Sequence, residues 1–168
     1  SEITKANVNK SSKLKELLTI PRYLTFLLEY EKQKGGCPNI SELFEYIIGS
    51  SIQTAIDARQ NIINNESIKI LIQRVLEKVA FVMEISRKDQ ISKDELYTIL
   101  DGVKGNMTQM LIANFDLLFF ESRILKETNG ILQFENTELQ EYLAAKELCR
   151  QDNIESVLYN VAVQKELK

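Results

Sequence analysis

The chain has no histidine and no tryptophan, and only two prolines, two cysteines and six glycines among its 168 residues. Each shortage removes something. Without histidine there is no Ser/His/Asp or Cys/His nucleophilic triad and no zinc site built on imidazole. Scarce glycine and proline leave little material for long irregular connections and favour helices. Cys37 and Cys149 lie far apart without metal-ligand spacing, and two cysteines are too few for a disulfide framework. Free thiols in a reducing compartment are expected. No apolar run is long enough to span a bilayer, and the opening "SEITKANVNKSSK" lacks the apolar core of a signal peptide, so a cytoplasmic location is expected. No G-x-x-x-x-G-K-[ST] and no Gly-rich strand-to-helix turn occurs, so there is no phosphate cradle. The formal net charge of −3 does not provide the clustered cations on which nucleic-acid affinity rests.

What is present is enough for a folded, mainly helical core: 44% of residues are hydrophobic and 27% charged. "SSKLKELL" reads as a short helix with Leu14, Leu17 and Leu18 on its apolar side. Pro21 suits the first turn of the next helix, where its missing N–H costs nothing. Leu24, Leu27, Leu28 and Glu31 follow at helical spacing, and Gly35-Gly36 ends the run. "ISELFEYIIGSSIQTAIDARQ" opens with Ser41 as its cap. It carries Ile40, Leu43, Phe44, Ile47, Ile48, Ile52 and Ile56 in one stripe, with Gly49 as a weak point. After a cap in "NNES", the residues Ile68, Leu71, Ile72, Val75, Leu76, Val79, Val82 and Met83 keep the helical period. Ala80 and Phe81 widen that stripe, so this helix is expected to be buried on more than one side.

From Ser86 the pieces shorten. Ser92 and Glu95 have capping-box spacing at the start of a helix. "GNMTQMLIANFDLLFFES" predicts another helix, bent near Asn114, with Met107, Leu111, Phe115, Leu118 and Phe119 as core candidates. Asn129-Gly130 between two short runs predicts a β-hairpin. Leu125, Leu132 and Phe134 fall on its apolar face, and Lys126, Gln133 and Glu135 on its wet face. Asn136 then caps "TELQEYLAAKELCRQ", which lets Phe134 and Tyr142 bury in one core. A further stretch, 152–168, begins with a cap at Asn153 and has no terminating signal.

No reaction chemistry stands out. Glu138, Glu141 and Glu147 read as a solvated helix face rather than an acid–base pair. "KDQISKDEL" reads as a charged loop and helix start rather than a metal site. Cys149 reads as a small core residue rather than a nucleophile. The helix–helix–helix–hairpin order from Ile68 to Glu135 is the winged-helix arrangement. Its third helix, however, has almost no cation, and Arg123 and Lys126 are too few to grip a phosphate track, so DNA binding ranks as an alternative.

"FENTELQEYLAA" resembles the F-x-H-x-x-x-Q-E-Y/F-L-A-A signature that closes the winged-helix domain of NACHT-type STAND ATPases, signalling proteins related to animal NOD-like receptors and to microbial defence proteins. "LLTIPRYLTFLL" resembles the proline segment of the helical domain that follows the ATPase core in that family, and "LIQRVLEKVAFVM" resembles the helix leading into the winged helix. The resemblance implies a helical domain at 11–65, a winged-helix domain at 66–151 and the start of a following region at 152–168. It implies a cofactor-binding role for Pro21 near the adenine of ATP or ADP. It also places Asn136 where the family carries a histidine that contacts the β-phosphate. Tyr142 is then expected to be buried and Glu141 to pair with a cation. With Walker A and B elements absent, the resemblance implies a segment with no catalysis of its own. Its partners would be the ATPase core and sensor region of the same polypeptide, with oligomerisation of the parent protein, a pivot near 64–67, and neither membrane nor nucleic acid. A freestanding helical adaptor is the other alternative.

Overall fold

The computed structural model describes residues 12–58, 65–104 and 120–151. Over these residues the protein is mainly α with one small antiparallel sheet. In chain order the elements are α1 (Ser12–Leu17), α2 (Pro21–Lys34), α3 (Ile40–Asp57), α4 (Asn65–Ile85), β1 (Ile91–Ser92), α5 (Lys93–Lys104), β2 (Leu125–Thr128), β3 (Ile131–Phe134) and α6 (Thr137–Leu148). The expected helix core at Met107, Leu111, Asn114, Phe115, Leu118 and Phe119 lies outside the described residues, as do Asn64 and the stretch from 152 onward. The chain divides into two compact units, residues 1–51 and 52–168, and the division falls within α3.

In the first unit, Pro21 occupies the first turn of α2, as expected, behind an extended Ile20. The helix ends on Gly35, whose φ of 76° is left-handed and whose N–H bonds the carbonyl of Glu31 at 3.0 Å. The apolar stripe of α2 differs from the expected one. Tyr23 and Leu27 are buried, while Leu24 and Leu28 are 44% and 49% exposed. Rings decide the rotation of the helix: Phe26 and Tyr30 both meet Tyr46 of α3 edge-on, at centroid distances of 6.2 and 5.4 Å. The Arg22 guanidinium lies 5.3 Å from the Phe26 centroid and donates to Ser51 Oγ at 2.6 Å.

Ser41 does not cap α3. Asn39 does, in a reciprocal box: Asn39 Oδ1 accepts from Glu42 N at 2.9 Å, and Asn39 N donates to Glu42 Oε2 at 2.8 Å. The helix starts two residues earlier than the Ser41 reading allows, which leaves Ser41 exposed within the first turn. Leu43, Phe44, Ile47 and Ile48 are buried as expected, and α3 passes through Gly49 without interruption.

In the second unit, Ile68, Ile72, Val75, Leu76, Val79, Ala80 and Met83 of α4 are buried. The turn between β2 and β3 is the predicted two-residue one. Asn129 and Gly130 both have positive φ, 53° and 80°, the geometry that matches strand twist in a type I′ hairpin. Leu125 faces Phe134 across the ribbon, and Leu125, Leu132 and Phe134 are buried while Lys126 and Gln133 are exposed. A third strand was not legible in the sequence. Ile91 and Ser92 pair antiparallel with Leu132 and Ile131, giving the order β1-β3-β2. The segment around them, read as a charged loop, has only these two paired residues and so carries no strand period. The capping box of Ser92 and Glu95 forms as predicted, with bonds of 2.9 and 3.2 Å. Lys93 then ties α5 to the hairpin through its N–H to Gly130 O at 3.1 Å and its ammonium to Glu127 at 2.7 Å. That bond to Glu127 raises the lysine's pKa.

Candidate functional site: the joint between the hairpin, α4 and α6

The "FENTELQEYLAA" segment is the point where β3 hands over to α6. Phe134, the last residue of β3, is 5% exposed. Asn136 is extended (φ −152°, ψ 139°), and its Oδ1 accepts from Leu139 N at 3.0 Å, so it is the predicted helix cap. That bond uses the carbonyl half of the amide and leaves the two Nδ2 hydrogens outside the cap. Pro21, the other residue implied to meet nucleotide, is exposed in the first unit, whereas Asn136 is half-buried in the second.

The buried face of α6 comprises Leu139, Gln140, Leu143, Ala144 and Glu147. Tyr142 is not among them. At about 100° per residue it falls roughly 60° to one side of Leu139, so it sits half-buried on the rim with the Lys146 ammonium 5.8 Å from its ring centroid. Glu141 points away from this face, is exposed, and has no ion pair among the described residues. Gln140 is the residue of that motif with a visible task. Its Nε2 donates to Glu84 Oε1 at 2.7 Å and to the carbonyl of Lys88 at 3.2 Å. Glu84 lies at the C-terminal end of α4 and Lys88 just beyond it, where Arg87 turns the chain at φ 54° and Lys88 N bonds back to Met83 O at 2.9 Å.

Toward the other end of α6 the joint becomes ionic. Glu77 of α4 is fully buried. Its Oε1 accepts from Gln73 Nε2 at 3.2 Å and lies 3.5 Å from Lys146 Nζ. Its Oε2 abuts the Arg150 guanidinium and stands 4.0 Å from Arg74. Glu147 belongs to the same group: it is 8% exposed, 3.9 Å from Arg74, and accepts from Gln151 Nε2 at 3.0 Å. The expected solvated face of Glu138, Glu141 and Glu147 therefore loses Glu147, because the helix turns that carboxylate toward α4 with Leu143 and Ala144. Cys149 also departs from expectation. It is the exposed C-cap of α6, one residue past the helix, and does not pack in the core. The Cys37 thiol is pushed up from its ordinary pKa by burial and then by Glu31, which keeps it protonated and a poor nucleophile.

Glu77 and Gln140 were missed in the sequence. A signal for Glu77 existed: it stands inside "VLEKVA", in a helix expected to be buried on two sides, where a charge has to find cations. Among the described residues no group of three His, Cys, Asp or Glu side chains is placed to hold a metal ion, and no helix is long and apolar enough to cross a membrane. Family models and curated proteins give no match to this chain.

Proposed function

We propose that this chain is a regulatory segment of a NACHT-type STAND signalling ATPase: a helical domain at 11–65 followed by a winged-helix domain at 66–151. It acts as a nucleotide-state-dependent clamp and lever, works in the cytoplasm and has no catalysis of its own. The observation that carries this reading is the joint at "FENTELQEYLAA". Phe134 anchors the ribbon, Asn136 caps α6 and Gln140 ties α6 to the end of α4. Such a joint transmits displacement because it has no slack. ADP or ATP, bound by an upstream ATPase core of the same polypeptide, would bias two positions of this lever by its difference in affinity for them.

Extending the reading frame upstream by about 200–300 residues, the span of a typical domain or two, tests the premise. A G-x-x-x-x-G-K-[ST] is expected there, and its absence sinks the reading in favour of a freestanding adaptor. In the resulting full-length protein, Asn136→Asp keeps the helix cap but removes the amide donor. Weaker ADP retention at unchanged melting temperature supports nucleotide contact through Asn136. Unchanged retention leaves that residue a cap alone.

The second reading is winged-helix DNA binding, with which the sheet order β1-β3-β2 is compatible. Two of the ribbon-side cations are committed, however: Lys93 to Glu127 at 2.7 Å and Lys126 to Glu135 at 3.6 Å. Duplex affinity falling steeply with salt would promote that reading.

A further inference from the structure

The joint between α4 and α6 is held in two different ways along its length, and the second way has no role in the reading above. In the first half of α6, Leu139, Leu143 and Ala144 are buried against the core. Past Ala144 no apolar side chain is fully buried. Ala145 and Cys149 are exposed and Leu148 is only half-buried. The last turn closes with Cys149 N to Ala145 O at 2.9 Å, then with tighter three-residue steps, Arg150 N to Glu147 O at 3.0 Å and Gln151 N to Leu148 O at 3.1 Å. A helix end of this kind frays unless something outside it holds it.

What holds it is charge. Three cations, Arg74, Lys146 and Arg150, converge on the buried carboxylate of Glu77, and two of the three come from the end of α6. Glu147 completes the group through Arg74 and Gln151. Apolar side chains in the place of such a group would be comparably stable, so its particular property is that it fixes one geometry and loses its hold when one partner is removed.

We propose that Glu77 is an ionic latch. It holds the end of α6 and the turn that follows it, residues 146–151, on α4, and so sets the direction of the chain at Gln151. It can open without disturbing the apolar half of the same joint. The latch depends only on side chains of the second unit and stands whether or not a nucleotide drives the lever.

Amide hydrogen exchange on the full chain tests this. Glu77→Gln removes the charge at nearly constant shape. Exchange at Cys149, Arg150 and Gln151 is expected to rise at least tenfold while Leu139 and Leu143 change less than threefold. Lys146→Met with Arg150→Met, which opens the latch from the other side, is expected to give the same local pattern. It decides the matter if Glu77→Gln fails to fold. No change at the three amides, a rise spread evenly over α6, or loss of folding in both variants overturns the proposal by making Glu77 an ordinary part of the core. A latch that opens locally with an unmoved melting temperature separates positioning from bulk stability.

Discussion

The two halves of α6 pack on the same neighbour by opposite means. Near Asn136 the helix is capped and its apolar face is buried, and the one buried polar side chain, Gln140, has two acceptors, Glu84 on α4 and the Lys88 carbonyl just past its end. Near Arg150 the contacts are between charges, and the carboxylate at their centre is shut off from water. Apolar burial is non-directional and tolerates small shifts, whereas an ion group of this kind is geometrically demanding and close to neutral in net stability. One helix thus has an end that supplies adhesion and an end that supplies aim.

The largest effect should come from damaging adhesion. Leu143→Ala removes a fully buried side chain and is expected to cost about 2–5 kcal/mol, read by urea denaturation of the chain. Because Leu143 belongs to the common core, exchange should rise throughout the second unit, in contrast to the local response expected at the latch. A local response to Leu143→Ala would mean that the two halves do not differ in kind. Asn136→Ala should come next, at about 1 kcal/mol, because it leaves Leu139 N without its side-chain acceptor. Asn136→Asp should recover most of that loss at neutral pH, since a carboxylate caps as well as an amide. A full loss in the aspartate variant would show that the Nδ2 donor also contributes in the isolated chain.

Local chemistry was the part most legible in the sequence. Pro21 at a helix start, the Ser92–Glu95 box, the Asn129-Gly130 turn and the Asn136 cap are short-range devices whose geometry is set by residues three or four apart, and all four are present. What the sequence hid depends on distant partners. The rotation of α2 is decided by Tyr46 on another helix, and β1 exists only because β3 pairs with it. Glu147 faces Arg74, more than seventy residues earlier in the chain, so composition alone made it look like one more surface carboxylate. Of the candidate site, the Phe134–Asn136 half could be read in advance. The Glu77–Arg150 half could not, because neither periodicity nor motif spacing records which cation a buried charge will meet.

Glu95 sharpens the comparison from the exposed side. Like Glu77 it meets a lysine from another segment, Lys88, but both side chains of that pair are nearly half exposed. The bond from Lys88, then the backbone N–H of Ser92, pulls the Glu95 pKa below its ordinary 4.5. A carboxylate whose folded pKa is lowered adds stability that is fully present above its unfolded value and is lost as pH falls through the folded one. Glu95→Gln should therefore flatten the acid limb of a stability-versus-pH series below about pH 4.5 and change little at pH 7 beyond the lost pairing. Salt should act on the two glutamates differently. Raising ionic strength shortens the screening length below about 10 Å, which weakens the Lys88–Glu95 attraction, exposed on both sides, more than the pairing at Glu77, whose carboxylate is fully buried although Arg74 and Arg150 reach solvent. Denaturation midpoints of Glu95→Gln and wild type that converge in high salt, beside a Glu77→Gln difference in amide exchange at Cys149, Arg150 and Gln151 that persists, would establish burial of the carboxylate as the property that turns an ordinary ion pair into a latch.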